Sequence, residues 1–101
     1  MNSITSEVDK FIRSHGGYWE PAWLLAAINE ELGELSRALQ IYSGIRTTEA
    51  LEKKTSIIGS IEEECGDIFY ALICLANFFN LDLETALYKT LNKYNSRYEL
   101  K

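Results

Sequence analysis

A six-residue acidic phrase occurs twice in this chain, and both times it interrupts an apolar helical stripe. Glu30-Glu31-Leu32-Gly33-Glu34-Leu35 aligns with Glu63-Glu64-Cys65-Gly66-Asp67-Ile68 at a constant offset of 33 residues. The flanks match in kind: Leu24 with Ile57, Ile28 with Ile61, Ala38 with Ala71 and Leu39 with Leu72. At about 100° per residue, Leu24, Ile28, Leu35, Ala38 and Leu39 define one stripe. Ile57, Ile61, Ile68, Ala71 and Leu75 define its counterpart. Glu31 and Glu64 fall in the middle of these stripes, with Glu34 and Asp67 about 60° to the side. Glu30 and Glu63 lie about 100° away, where a solvated face is the ordinary reading.

Four acids on inward faces need compensation, because a buried carboxylate must find a partner or give up its charge. No basic residue falls at core phase nearby, and Arg37 reads as lying on another face. A hard cation resolves the conflict, since oxygens at i and i+3 on two facing helices can converge on it. All-oxygen ligands suit magnesium, or manganese, rather than zinc. Carboxylates built into a helical bundle are an established way to hold metal, but the di-iron form uses Glu-x-x-His. The only histidine, His15, falls in a predicted loop, so iron is set aside. Gly33 and Gly66 also align, which suggests a close helix approach.

The rest of the chain reads as helix too. No segment alternates with period two long enough to make a strand. The first helix is expected from about Ile4 to Ser14, with Val8, Phe11 and Ile12 inward and Gly16–Gly17 as its stop. The second starts near Pro21 and ends before Gly44. The third begins after the N-cap candidates Thr47 and Thr48 and reaches about Phe79, with a break allowed near Ser56–Gly59. The fourth follows Asp82 and runs to about Tyr98, with Leu83, Leu87, Leu91, Tyr94 and Tyr98 as its core face. The expected fold is therefore all-α, a single four-helix, bundle-like domain over residues 1–101.

At 101 residues and 47% apolar composition, the chain can build one core but has spare apolar helix surface. That favours a homodimer or homotetramer. The net charge of −5 argues against nucleic acid or an anionic membrane as partner. Met1 to Ile12 lacks a signal-peptide pattern, and the longest apolar run, Ile68 to Ala76, is too short to cross a bilayer. Cys65 and Cys74 lie about 13 Å apart along one helix, too far for a disulfide, and read as buried structural thiols in a reducing cytoplasm.

The two motifs together, Glu30-Glu31-Leu-Gly-Glu34 and Glu64-Cys-Gly-Asp67, resemble the signature of the MazG-like nucleotide pyrophosphohydrolases, the all-α NTP pyrophosphatase superfamily. The run Asp67 to Asn77, the segment Leu81-Asp82-Leu83-Glu84 and the ending Lys93-Tyr-Asn-Ser-Arg97-Tyr98 are similar to the family's second half, so the likeness covers nearly everything from Trp23 on. One departure is Tyr94, where the family often has Asn directly after the helix-four lysine.

The resemblance implies magnesium held by Glu31, Glu34, Glu64 and Asp67. It implies hydrolysis of an NTP or dNTP to the monophosphate and pyrophosphate. The cation would bridge charges, orient a water and stabilise charge at phosphorus. Glu30 or Glu63 is the candidate to take the water's proton, and the residues do not choose between them.

Lys89, Lys93 and Arg97 share one helix face and could grip a phosphate tail or simply be solvated; the resemblance singles out Lys93, Arg97 and Tyr98. Trp19 and Trp23 either stack on a base or serve as ordinary core or interface aromatics. Asn77 is a candidate nucleotide contact or a loop-facing amide. Two rival functions remain at this stage: a phosphoribosyl-ATP pyrophosphohydrolase, and a helical binding or regulatory module without chemistry.

Overall fold

The computed structural model describes residues 2–44 and 54–99, with side chains described for 3–44 and 56–99. Four helices follow in order: α1 (Asn2–Ser14), α2 (Pro21–Tyr42), α3 (Lys54–Phe78) and α4 (Leu83–Glu99). The described residues contain no strand. Thr47 and Thr48, the expected caps of α3, lie outside the described residues. α3 runs unbroken through Ser56–Gly59, so the glycine there weakens the helix without ending it.

The helix ends follow local chemistry. Gly17 N–H donates to the Ile12 carbonyl at 2.9 Å, closing α1. Gly16 and Gly17 take φ of 105° and 92°, a region open to glycine and strained for other residues. Pro21 opens α2 at a position where its missing N–H costs nothing. Asp82 caps α4 as expected: its carboxylate accepts from the Glu84 N–H at 3.0 Å and the Thr85 hydroxyl at 3.1 Å. Those donors hold its carboxyl below the usual range.

The chain forms two compact units, Trp19–Leu72 and Met1–Tyr18 with Ile73–Lys101. In the first, α2 and most of α3 make an antiparallel pair: Glu34 and Glu64 share a cavity with Ile41 and Ile57, which only opposite chain directions allow. Its buried side chains are Leu24, Ile28, Ala38, Ile57 and Ala71, all from the predicted stripes. Leu35, Ile61 and Ile68 are half-buried, while Leu39 is exposed. In the second unit Ile12, Ile73, Cys74 and Ala76 are buried. There the Tyr18 hydroxyl donates to Asp9 at 2.5 Å, and Arg13 pairs with the same carboxylate at 3.0 Å. Both lower the Asp9 pKa, while burial and the Asp9 hydrogen bond raise that of Tyr18.

Several expectations are corrected. α4 holds no buried residue, and its supposed core face is open, with Leu87, Leu91, Tyr94 and Tyr98 all exposed. Periodicity identified an apolar face but not whether this chain covers it. Phe11 is also exposed, stacked on the His15 ring at 4.2 Å. Gly33 and Gly66 mark no close approach, since a Cβ at either position meets nothing within 4 Å. Cys65 is an exposed thiol, and only Cys74 is buried.

A candidate metal centre on two facing helices

Glu31 and Glu34 lie one turn apart on α2, and Glu64 faces them from α3. One carboxylate oxygen from each comes within 4.8 Å of the other two. Glu31 and Glu64 are half-buried and Glu34 is exposed, which matches their places in and beside the apolar stripes. Asp67, one turn beyond Glu64, is exposed and is not one of the three.

Three carboxyl groups this close cannot all ionise freely. A hydrogen bond with Glu31, then burial and the Glu34 charge, push the Glu64 pKa up to about 7 from an ordinary value of 4.5. The Glu64 Oε2 is buried without a hydrogen-bond partner among the described residues. An acceptor in that state is costly unless something electropositive approaches it. The donor set is all oxygen and anionic, the chemistry of a hard divalent cation. The residues therefore fit a metal ion.

A cavity of about 260 Å³ opens beside the trio, lined by Glu34, Arg37, Ala38, Ile41, Ile57, Ser60 and Glu64. Arg37 was expected on another face, yet it shares this wall. Its position three residues after Glu34 is the signal that could have placed it, since i and i+3 are neighbours on a helix surface.

Glu30 and Glu63 are exposed, as their phase implied. Trp19 and Trp23, in the same unit, are 61% and 67% exposed, outside the core that the described residues form. The remaining candidates belong to the other unit. Lys93 Nζ and the Arg97 guanidinium sit over the Tyr94 ring, at 5.3 Å and 5.4 Å from its centroid, so the residue that departs from the family pattern takes both cations. Tyr98 is exposed. The Asn77 amide donates to the Thr5 carbonyl at 3.3 Å, spending one donor on tying α3 to α1.

The helices and the acidic trio define an all-α protein with a carboxylate site suited to a hard cation. The model of the MazG nucleotide pyrophosphohydrolase domain matches residues 20–100, both motifs included. The chain belongs to this family and is a nucleotide pyrophosphohydrolase. It is 38% identical over 98 residues to the uncharacterised protein YpjD of Bacillus subtilis (strain 168), covering 96% of this chain and 85% of that one. Two crystal structures share the fold. The Bacillus-conserved MazG protein, a nucleotide pyrophosphohydrolase, has a TM-score of 0.75 and 37% identity, over 92% of this chain and 86% of that one. YpjD from Bacillus subtilis has a TM-score of 0.80 and 37% identity, over 93% of each chain.

Proposed function

We propose that this chain hydrolyses an NTP or dNTP to the monophosphate and pyrophosphate, using magnesium (or manganese) held by Glu31, Glu34 and Glu64, with Asp67 as a further ligand. The observation that carries this reading is the orphaned Glu64 oxygen within a trio of converging carboxyl groups. When bound, the cation would neutralise phosphate charge and polarise the phosphoryl group and the attacking water. The chain's own residues do the rest. Glu64 yields its proton so that the trio presents anionic oxygen. The water oxygen bonds to the α-phosphorus, the bridge to the β-phosphate breaks, and pyrophosphate leaves. Glu30 or Glu63, exposed and next in sequence to a member of the trio, would accept the water's proton. Roles for Lys93, Arg97, Tyr98, Asn77, Trp19 and Trp23 in holding the nucleotide rest on the family likeness and on their residue types.

The open apolar face of α4 supports a homodimer or homotetramer, because leucines and tyrosines at helical spacing gain most from burial. Two cysteines that form no disulfide fit a reducing compartment such as the cytoplasm.

The test is incubation with a panel of ordinary and modified NTPs and dNTPs, with and without magnesium, and separation of the products by anion exchange. Monophosphate plus pyrophosphate, dependent on magnesium and abolished in Glu64→Gln, is expected. Diphosphate plus orthophosphate would place the cleaved bond elsewhere. No turnover on any of them, with magnesium still raising the melting temperature, would favour phosphoribosyl-ATP or a binding module.

A further inference from the structure

The cavity beside the carboxylates has a layout that the acidic trio alone does not explain. On α2, Glu34, Arg37, Ala38 and Ile41 follow at i, i+3, i+4 and i+7; on α3, Glu64, Ser60 and Ile57 follow at i, i−4 and i−7. Seven residues of helix span about 10 Å. The cavity is thus a trough between antiparallel helices, with carboxylates at one end and a guanidinium and a hydroxyl one turn away. Ala38 and Ile57 are buried at 6% and 2% exposure, so they form a solid apolar floor rather than an open slot. Arg37 stands exposed on the rim. It is the only cationic side chain described between residues 19 and 72, and among the described residues it forms no ion pair with Glu34 or any other carboxylate. The Ser60 hydroxyl donates to the Ser56 carbonyl at 3.1 Å, which leaves its lone pairs toward any donor and makes it a poor anion contact.

A nucleoside triphosphate brings several negative charges to a site already rich in carboxylates. A metal ion held by Glu31, Glu34 and Glu64 would offset part of that charge. The phosphates beyond it need a second cation about one helical turn away, roughly 5 Å. A guanidinium with no ion pair among the described residues meets that need, because its fork matches two phosphate oxygens at once. We infer that Arg37 is a substrate-binding residue that grips the pyrophosphate portion of the nucleotide, beside the metal-binding carboxylates. This rests on the reading of the site given above. It makes Arg37 a determinant of how the triphosphate is oriented: the β and γ phosphates lie toward Ala38 and Ile41.

The experiment compares wild type with Arg37→Met and Arg37→Lys. Magnesium-dependent binding of pyrophosphate is measured by calorimetry, and inhibition of turnover by pyrophosphate and by the monophosphate product is measured alongside. Losing a charge-assisted, two-pronged contact weakens binding about tenfold or more. Arg37→Met should therefore bind pyrophosphate at least tenfold more weakly and show a raised KM, with monophosphate inhibition unchanged. Arg37→Lys should recover part of the loss. Unchanged pyrophosphate binding in Arg37→Met, or a loss that falls on the monophosphate instead, overturns the inference. If wild type turns over no nucleotide, the proposed reaction fails by itself, and the calorimetric comparison still decides the role of Arg37. A melting curve for Arg37→Met separates either result from loss of fold.

Discussion

The raised pKa of Glu64 makes a quantitative prediction for how this protein responds to pH with and without metal. In the fold its pKa is about 7, against an ordinary 4.5. Between those values the native state holds a proton that the unfolded chain has released, so the metal-free protein is stabilised below pH 4.5. It loses that contribution as pH rises toward and through 7. Metal acts in the opposite direction, because a proton on Glu64 competes with the cation. With a pKa of about 7, Glu64 is ionised in about half of the molecules at pH 7, about a tenth at pH 6 and about a hundredth at pH 5. Apparent magnesium affinity should therefore fall about fivefold from pH 7 to 6 and about ninefold more from pH 6 to 5. The assay is thermal denaturation across pH 5 to 8, metal-free and at several magnesium concentrations, for wild type and Glu64→Gln. The difference between the two proteins removes contributions common to both. In metal-free wild type, the melting temperature should drop relative to Glu64→Gln as pH rises from 5 to 7. Magnesium should restore it increasingly above pH 6. Parallel pH curves for the two metal-free proteins, or equal magnesium affinity at pH 6 and 8, would show that Glu64 does not hold the shared proton.

Other outcomes follow from the packing. Ile57 is 2% exposed at the floor of the trough, so Ile57→Val should cost about 1 kcal/mol and Ile57→Ala about 2–5 kcal/mol in denaturant unfolding. Near-neutral behaviour of Ile57→Ala would mean that the site is not close-packed. Asp82→Ala removes the cap of α4, whose carboxylate is held below its ordinary pKa. Its stabilisation is present at neutral pH and lost as pH falls through the lowered pKa, so the variant should melt below wild type at pH 7 and match it near pH 2. Gly59 lies inside α3 with no atom within 4 Å of an added Cβ. Gly59→Ala should therefore stabilise by about 0.5–1 kcal/mol, and destabilisation would reveal a neighbour pressed against that face.

Much of this structure was legible because helical phase is simple arithmetic. The stripes through Leu24, Ile28 and Ala38, and through Ile57 and Ala71, were readable from spacing, and three of the four carboxylates that violated them, Glu31, Glu34 and Glu64, come together. The sequence also placed the Asp82 cap and the glycine stop of α1, since both depend on a few adjacent residues. What it did not give depends on the partner of each face. Leu87, Leu91, Tyr94 and Tyr98 have core periodicity, yet all four are exposed among the described residues. Spacing within one helix says which residues share a side and nothing about what lies opposite. Arg37 escaped for a related reason: judged against the apolar stripe it is off-phase, but a long side chain beside Glu34 reaches the cavity wall from there. Asn77, Lys93 and Arg97 were candidate nucleotide contacts by position, while they also serve the protein itself, the amide through Thr5 and the two cations over the Tyr94 ring.

The bare face of α4 also bears on how long a copy of this protein lasts. A helix with no buried side chain can open without unfolding the rest, so it exposes its backbone far more often than the core does. Cleavage begins at such segments. Where a second copy covers that face, opening is suppressed, and assembled molecules outlive solitary ones. The amount of protein in a cell would then track pairing rather than synthesis alone. Copies whose α4 face stayed uncovered would then be removed first.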